Sequence, residues 1–120
     1  MTLLCRVELN KTGGVIITVD NKSGGIIHTV VLNDNSITTT SKGAAATSTI
    51  KQTPEKITMD CKAFELTAEN ITCKSTAATN FSSGTHFSIK SDADTSVDGT
   101  NIKLSGSAQI SATASLIKLQ

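Results

Sequence analysis

Short triplets of an apolar, a polar and an apolar residue recur along the second half of the chain, separated by small or turn-forming residues. Nine triplets lie between positions 57 and 119, and they recur about every 7.5 residues. The outer positions, of which Thr79 and Thr95 are weak members, are Ile57/Met59, Phe64/Leu66, Ile71/Cys73, Thr79/Phe81, Phe87/Ile89, Thr95/Val97, Ile102/Leu104, Ala108/Ile110 and Ile117/Leu119. The middle position is polar in all nine: Thr58, Glu65, Thr72, Asn80, Ser88, Ser96, Lys103, Gln109 and Lys118. Because successive side chains of a strand point to opposite faces, the pattern predicts very short strands with one buried and one solvated side.

Strands of three to four residues do not form a stable sheet alone, so these units are expected to stack around a shared narrow core. A period of seven to eight residues with mainly Ile, Leu and Val inside favours a triangular β-prism, an intertwined trimeric β-helix wound from three copies of the chain. The predicted trimer core consists of Ile57, Met59, Phe64, Leu66, Ile71, Cys73, Phe81, Phe87, Ile89, Val97, Ile102, Leu104 and Ile110.

The N-terminal part of the chain has longer apolar segments, at 3–9, 15–19 and 26–32, with glycine-rich turns between them. This pattern predicts a short N-terminal β-meander. The predicted organisation is therefore all-β, with a strand base at 1–40, a linker or irregular turn at 41–56 and the repeat β-helix at 57–120.

Composition narrows the choice of function. The chain has 11 Lys and Arg against 10 Asp and Glu, which gives no electrostatic signature for nucleic acid or an anionic membrane. Neither a signal peptide nor an apolar segment of about 20 residues is found, and three cysteines fit a reducing compartment. Assembly in the cytoplasm is the expectation.

Residues 15–30, followed by short strand repeats, resemble the spike-forming part of valine-glycine repeat (VgrG-like) proteins. These are the trimeric spikes of type VI secretion systems, related to the central spikes of contractile phage-tail baseplates. Ile17 and Val19, then Asp20, a Gly at 24 or 25, and Ile27 occupy the positions of the family's strand, turn and strand element. Large hub domains and the characteristic Val-Gly pairs are absent from the sequence.

This resemblance implies a structural, non-enzymatic homotrimer that acts as a membrane-puncturing needle of a contractile injection system. It implies a separate hub or baseplate protein at the N-terminal end and a small tip protein (PAAR-like) or effector at the other. Assembly in the cytoplasm would then be followed by delivery outside the cell or into a target cell. The apolar sequence at the end of the chain predicts a blunt docking face for the tip protein, formed by Leu116, Ile117 and Leu119.

Candidate catalytic and metal-binding residues are weak by comparison. Ser48 to Lys51 fits S-x-x-K and Lys11 to Gly13 fits K-T-G, but in reversed order and in a chain rich in Ser, Thr and Lys. Asp92 and Asp94 fall in a predicted turn, where aspartate commonly bonds the local backbone. The sequence therefore predicts no catalytic residue and no cofactor.

His28 and His86 are isolated and are interpreted as strand-surface imidazoles, although a three-fold axis would turn one inward histidine into three ligands. Cys61 and Cys73 are interpreted as small buried thiols. Two other functions remain open: a trimeric receptor-binding adhesin or tail fibre, and a carbohydrate-active β-solenoid.

Overall fold

The computed structural model describes residues 2–120, and it is all-β, as the sequence predicts. A single antiparallel sheet of six strands follows chain order: β1 (Leu3–Asn10), β2 (Gly14–Asn21), β3 (Ile26–Leu32), β4 (Ile37–Lys42), β5 (Thr47–Gln52) and β6 (Ile57–Asp60). No helix occurs among the described residues. The three N-terminal strands predicted from the apolar segments are confirmed as a meander.

Asparagine side chains build the first three turns of the meander. Asn10 Oδ1 accepts hydrogen bonds from the backbone N–H groups of Thr12 and Gly13, at 2.8 and 3.1 Å. Asn21 and Asn33 each accept from the backbone N–H three residues later, at 3.1 and 2.9 Å. Such short side-chain bonds to the backbone favour turns over continued strands, and they account for the reversals after β1, β2 and β3.

Glycine is required at Gly14 and much less at Gly25. Both have positive φ, 84° and 65°. A Cβ at position 14 would lie 1.9 Å from the backbone oxygen of Leu32, whereas one at position 25 would meet nothing within 4 Å. Positive φ costs a non-glycine residue about 1–2 kcal/mol, and only position 14 adds a backbone clash.

Replacing Gly14 with alanine is therefore expected to lower the free energy of unfolding by more than about 3 kcal/mol, since the β2–β3 pairing must shift. Gly25→Ala, the matched control, should cost about 1 kcal/mol from backbone strain alone. Chemical denaturation of the two variants measures the difference. Equal losses would contradict the close approach of Gly14 to Leu32.

The sheet extends further than the sequence indicated. β5 lies within 41–56, the range predicted as a linker or irregular turn. Three turns spaced ten residues apart connect β3 to β6, and each is closed by a backbone hydrogen bond, Asn33 N–H to Ser36 O, Gly43 N–H to Ala46 O and Thr53 N–H to Lys56 O. Pro54 is accommodated inside such a turn, where its missing N–H costs no ladder bond. The division into a base and a repeat spike stays a prediction.

Strand length falls steadily along the sheet. β1 and β2 have 8 residues, β3 has 7, β4 and β5 have 6, and β6 has 4. At about 3.3 Å per residue, the sheet narrows from about 26 Å to about 13 Å. The sheet, called the wall below, is thus widest at β1 and β2 and narrowest at β6.

Residues 61–120 form extended segments joined by bends, without strand pairing. The chain divides into two compact units, one ending at Ile71 and one comprising Thr72–Gln120. The backbone changes direction sharply at positions 62, 69, 76–77, 84–85, 92–93, 100, 107–108 and 115. These bends recur about every 7.6 residues, and each lies between two apolar triplets or at the border of one. The backbone therefore has the periodicity of the sequence pattern.

Candidate functional site

The two faces of the six-stranded sheet differ sharply in chemistry. Residues that pair directly across an antiparallel sheet share a face, so the register assigns each strand residue to one side. One face, called the apolar face below, carries Leu3, Cys5, Val7, Leu9, Val15, Ile17, Val19, Ile26, Val30, Leu32, Ile37, Ile50, Ile57 and Met59, with Asn21, His28, Thr39, Ser41, Ser48 and Gln52 as its polar members. This surface is the strongest candidate for a binding site in the sheet.

The opposite face, called the polar face below, carries every Lys, Arg, Asp and Glu of the six strands. These charged residues are Arg6, Glu8, Asp20, Lys42, Lys51 and Asp60. A row of threonines, Thr18, Thr29, Thr40 and Thr49, crosses the middle of this face, and Arg6 forms an ion pair with Glu8 at one edge. Leu4, Ile16, Ile27 and Val31 also lie on this face. The two faces are therefore distinguished by charge, since the apolar face carries no Lys, Arg, Asp or Glu.

The apolar face is uncovered in the single chain. Among residues 2–120 none is buried, and Val7 and Leu9 are 66% and 81% exposed. The chain exposes 11579 Å², whereas a compact monomer of this mass exposes about 6,200 Å². An apolar sheet face that its own chain leaves uncovered marks an interaction site.

The thirteen predicted core residues all lie on exposed surface. Ile57 and Met59 belong to the apolar face of β6, and the residue between them, Thr58, lies on the polar face, as the triplet pattern predicts for a strand. The other eleven follow β6, with exposed fractions that reach 76% at Leu104. Phe81 and Phe87 approach each other, with ring centroids 6.3 Å apart. The structure thus leaves the predicted core residues without cover from their own chain.

Hydrogen bonds of the repeat segment are local. Ser83 Oγ donates to the backbone oxygen of His86 at 2.7 Å, and Ser96 Oγ donates to Asp98 Oδ2 at 2.7 Å. Lys90 and Asp92 form an exposed ion pair at 3.5 Å. The Ser83–His86 contact spans the bend at 84–85, and none of the three contacts joins residues more than three positions apart.

His28 stands out on the apolar face. It lies in β3, between Val19 of β2 and Ser41 of β4, and its Nδ1 is 2.8 Å from Ser41 Oγ. His86 lies in the repeat segment, and both histidines are on exposed surface. Within residues 2–120, one chain does not gather three His, Cys, Asp or Glu side chains into a metal site.

The remaining candidates from the sequence are dispersed. All three cysteines are free thiols; Cys5 and Cys73 are exposed, and Cys61 is partly exposed. Leu116, Ile117 and Leu119, the predicted tip-docking residues, are 69%, 53% and 92% exposed. The docking role stays a prediction.

An internal repeat near the start of the chain was missed in the sequence. Positions 10–19 read NKTGGVIITV and positions 21–30 read NKSGGIIHTV. Each repeat supplies one Asn turn, one glycine with positive φ and one strand. The shared Asn-Lys-Thr/Ser-Gly-Gly sequence is the signal that would have predicted the same kind of turn after β1 and after β2.

Comparison with known protein families, with curated proteins and with solved structures finds no match to this chain. No helix able to cross a membrane occurs among residues 2–120.

Proposed function

We propose that three copies of this chain form a tapering spike that acts mechanically at the head of a contractile injection apparatus. The observation that supports this most directly is the shortening of the strands from 8 residues in β1 to 4 in β6 beneath a continuous apolar face. A wall that narrows in one direction forms a pointed body when copies of it close around an axis.

The occupant of the apolar face is two further copies of the same chain. The chain exposes 11579 Å², about 5,400 Å² more than a compact monomer of its mass. Obligate homo-oligomers bury interfaces of about 2,000–5,000 Å² or more, and closed rotational symmetry is their usual form. Three sheets with apolar faces inward and polar faces outward place the six strand charges of each chain in water.

The repeat segment supports the same arrangement. Its exposed apolar triplets and its regular bends match one edge of a triangular prism per unit of about 7.6 residues. In an interleaved trimer each extended segment pairs with segments of the other two chains, about 4.8 Å away. Three chains then advance about 14 Å per turn, and eight steps give about 40 Å of needle.

A mechanical role follows from this kind of pairing. Backbone hydrogen bonds between chains run through the whole cross-section, so bending the needle would break many bonds at once. In the apparatus, a hub protein would hold the wide end and a small tip protein or effector would occupy a face that includes Leu116, Ile117 and Leu119. The side chains involved bind and stiffen, and the proposal assigns no catalysis to them.

The solution molar mass tests the oligomer on which the function depends. Sedimentation equilibrium of the full chain should give three times the 12.5 kDa of one chain, about 37.5 kDa, over a wide range of protein concentration. A stable folded monomer of 12.5 kDa would overturn both the trimer and the spike.

Electron microscopy separates the spike from the other trimeric functions. Antibody labelling of contractile particles should place the protein at the baseplate end of the tube, in one copy of the trimer per particle. Labelling of lateral fibres would indicate an adhesin, and specific cleavage of polysaccharide would indicate a solenoid enzyme. Either result would replace the proposed function.

A further inference from the structure

We infer that Asp98 is a site of spontaneous backbone modification, at which the linkage between Asp98 and Gly99 rearranges through a succinimide to isoaspartate. The reaction needs only water and residues of one chain, so it requires neither a partner nor a second copy. It gives the repeat segment a chemical property that goes beyond the proposed mechanical role.

The sequence singles out this linkage. A succinimide forms when the backbone nitrogen of the next residue reaches the carboxyl carbon of an aspartate, and a glycine allows that approach because it has no Cβ. Asp98 is the one aspartate of the chain that a glycine follows. The other five aspartates precede Asn, Cys, Ala or Thr, and no asparagine precedes a glycine.

The bend next to this linkage does not require an aspartate. Two other bends of the repeat segment lie at or beside a glycine, and serine precedes the glycine in both, as Ser83–Gly84 and Ser105–Gly106. A serine therefore meets the needs of such a bend. Aspartate at position 98 replaces an unreactive side chain with one that can form a succinimide.

The structure leaves the linkage open to reaction. Asp98 and Gly99 are exposed, neither belongs to a paired strand, and the bend at position 100 follows directly. The backbone can therefore turn its nitrogen toward the side chain without breaking a hydrogen bond of a sheet. Asp20 and Asp60, in contrast, are held in paired positions of β2 and β6.

Ser96 acts on the carboxyl group itself. Its Oγ donates a hydrogen bond to Asp98 Oδ2 at 2.7 Å. The bond withdraws negative charge from the carboxyl group, which makes its carbon a better target for a nucleophile. It also places a hydroxyl group beside an oxygen that can leave. Ser96, Asp98 and Gly99 together form the reactive site.

The rearrangement consists of two balanced steps. In the first, the nitrogen of Gly99 bonds to Cγ of Asp98 in its acid form, the C–OH bond breaks, and the hydroxyl leaves with the amide proton as water. In the second, water adds to one of the two ring carbonyls. Addition at Cγ restores aspartate, whereas addition at the backbone carbonyl gives isoaspartate, whose main chain runs through Cβ and Cγ. No oxidant is needed, and the mass of the chain is unchanged.

Isoaspartate lengthens the main chain by one carbon, which is about 1.5 Å of extra path. The extra atom lies between Val97 and Ile102, which belong to successive triplets. Because side chains of a strand alternate residue by residue, it displaces the pattern after position 98 from the pattern before it. In the proposed trimer, on which this consequence rests, pairing between chains would weaken after position 98.

Incorporation of heavy oxygen tests the inference on the full chain, in whichever oligomeric state it adopts. The protein is aged at neutral pH in water labelled with heavy oxygen and digested with trypsin, which releases residues 91–103 as one peptide. Each passage through the succinimide exchanges a carboxyl oxygen, so Asp98 should gain label, and a second isomer of the peptide should show fragments specific to isoaspartate. Asp92 and Asp94, the internal controls, should gain about 10-fold less label, because Ala and Thr follow them.

Gly99→Ala should slow labelling of Asp98 about 10-fold or more, because the added Cβ obstructs the nitrogen. The fold accepts this variant, since the Cβ would lie 3.5 Å from the backbone oxygen of Asn101 and 3.8 Å from Ile102 Cγ1. Ser96→Ala should also slow labelling, and an unchanged rate would remove Ser96 from the site. Absence of label at Asp98, or equal label at Asp92 and Asp94, would overturn the inference.

Hydrogen exchange on a trimer aged in the same way tests the consequence for pairing. Amides of residues 99–120 should exchange faster than in fresh protein, whereas those before Asp98 should be unchanged. Unchanged exchange throughout an isomerised trimer would overturn the effect on pairing. A monomeric molar mass would overturn the proposed function and leave the modification intact, so the two failures are distinguishable.

Discussion

Replacing Val30 with aspartate is expected to convert the trimer into monomers. Val30 lies on the apolar face in the third of six strands, between Ile17 and Thr39. In the proposed trimer three such carboxylates would be enclosed near the axis without partners, at an effective cost of several kcal/mol for each ion. Sedimentation equilibrium should show the mass fall from about 37.5 kDa to the 12.5 kDa of one chain.

The matched control is Thr29→Asp, one residue earlier in the same strand. Thr29 lies on the polar face, in the row with Thr18 and Thr40. The same carboxylate then faces water, and the loss of stability should stay below about 1 kcal/mol. If Val30→Asp remained trimeric, with a melting temperature equal to that of Thr29→Asp, the apolar face would not be the interface between chains.

Replacing Ile89 with aspartate is expected to break the hydrogen bonds that the repeat segment around it forms with neighbouring chains in the proposed trimer. Ile89 is 70% exposed in the single chain, where an amide of residues 61–120 has no strand partner and should exchange almost as in an unfolded chain. In the trimer, pairing with neighbouring chains should slow exchange of these amides by several orders of magnitude. A charge at an inward position should remove that protection over one or more turns.

Ser88→Asp is the control for the alternation within the same triplet, because the two positions point to opposite sides of a strand. It should leave exchange of the repeat segment slow. Hydrogen exchange followed by mass spectrometry on the trimeric wild-type protein and both variants measures the effect. Fast exchange throughout residues 61–120 in the wild-type trimer would contradict pairing between chains in this segment.

The distribution of charge over the two faces of the sheet is compatible with the proposed trimer. Every Lys, Arg, Asp and Glu of the strands lies on the polar face, so closure of three sheets in the proposed trimer would enclose none of them. Thr39, Ser41 and Ser48 do lie on the apolar face. Their hydroxyls can bond within the wall, as Ser41 does with His28, which makes their burial tolerable.

Much of the strand content was accessible from sequence because local patterning determines it. The three N-terminal strands were predicted within about two residues of their observed ends, from runs of β-branched residues between glycine-rich turns. β5 was not predicted, because its sequence, TSTIKQ, contains one aliphatic residue and is flanked by GAAA and a proline. Pairing with β4 and β6 stabilises it as a strand, and such tertiary context is not visible in the segment itself.

The candidate site was only partly accessible from sequence. The triplets identified the apolar positions from Ile57 onward, since alternation with period two is a property of the strand itself. The apolar face across β1 to β5 and the proximity of His28 to Ser41 depend on register, which is determined by turn lengths and cross-strand pairing.

The sequence by itself determined that this chain is β-rich, that its apolar residues alternate with polar ones, and that its turns recur at short intervals, because backbone propensity and side-chain alternation act locally. Only the tertiary structure decided that the meander continues to Asp60, that its strands shorten from 8 residues to 4, and that every strand Lys, Arg, Asp and Glu lies on one face. The physical reason is that the hydrogen-bonded register between neighbouring strands determines which face each side chain lies on and how long each strand is. Neighbouring strands are separated by a turn in the sequence, so no local pattern contains that register.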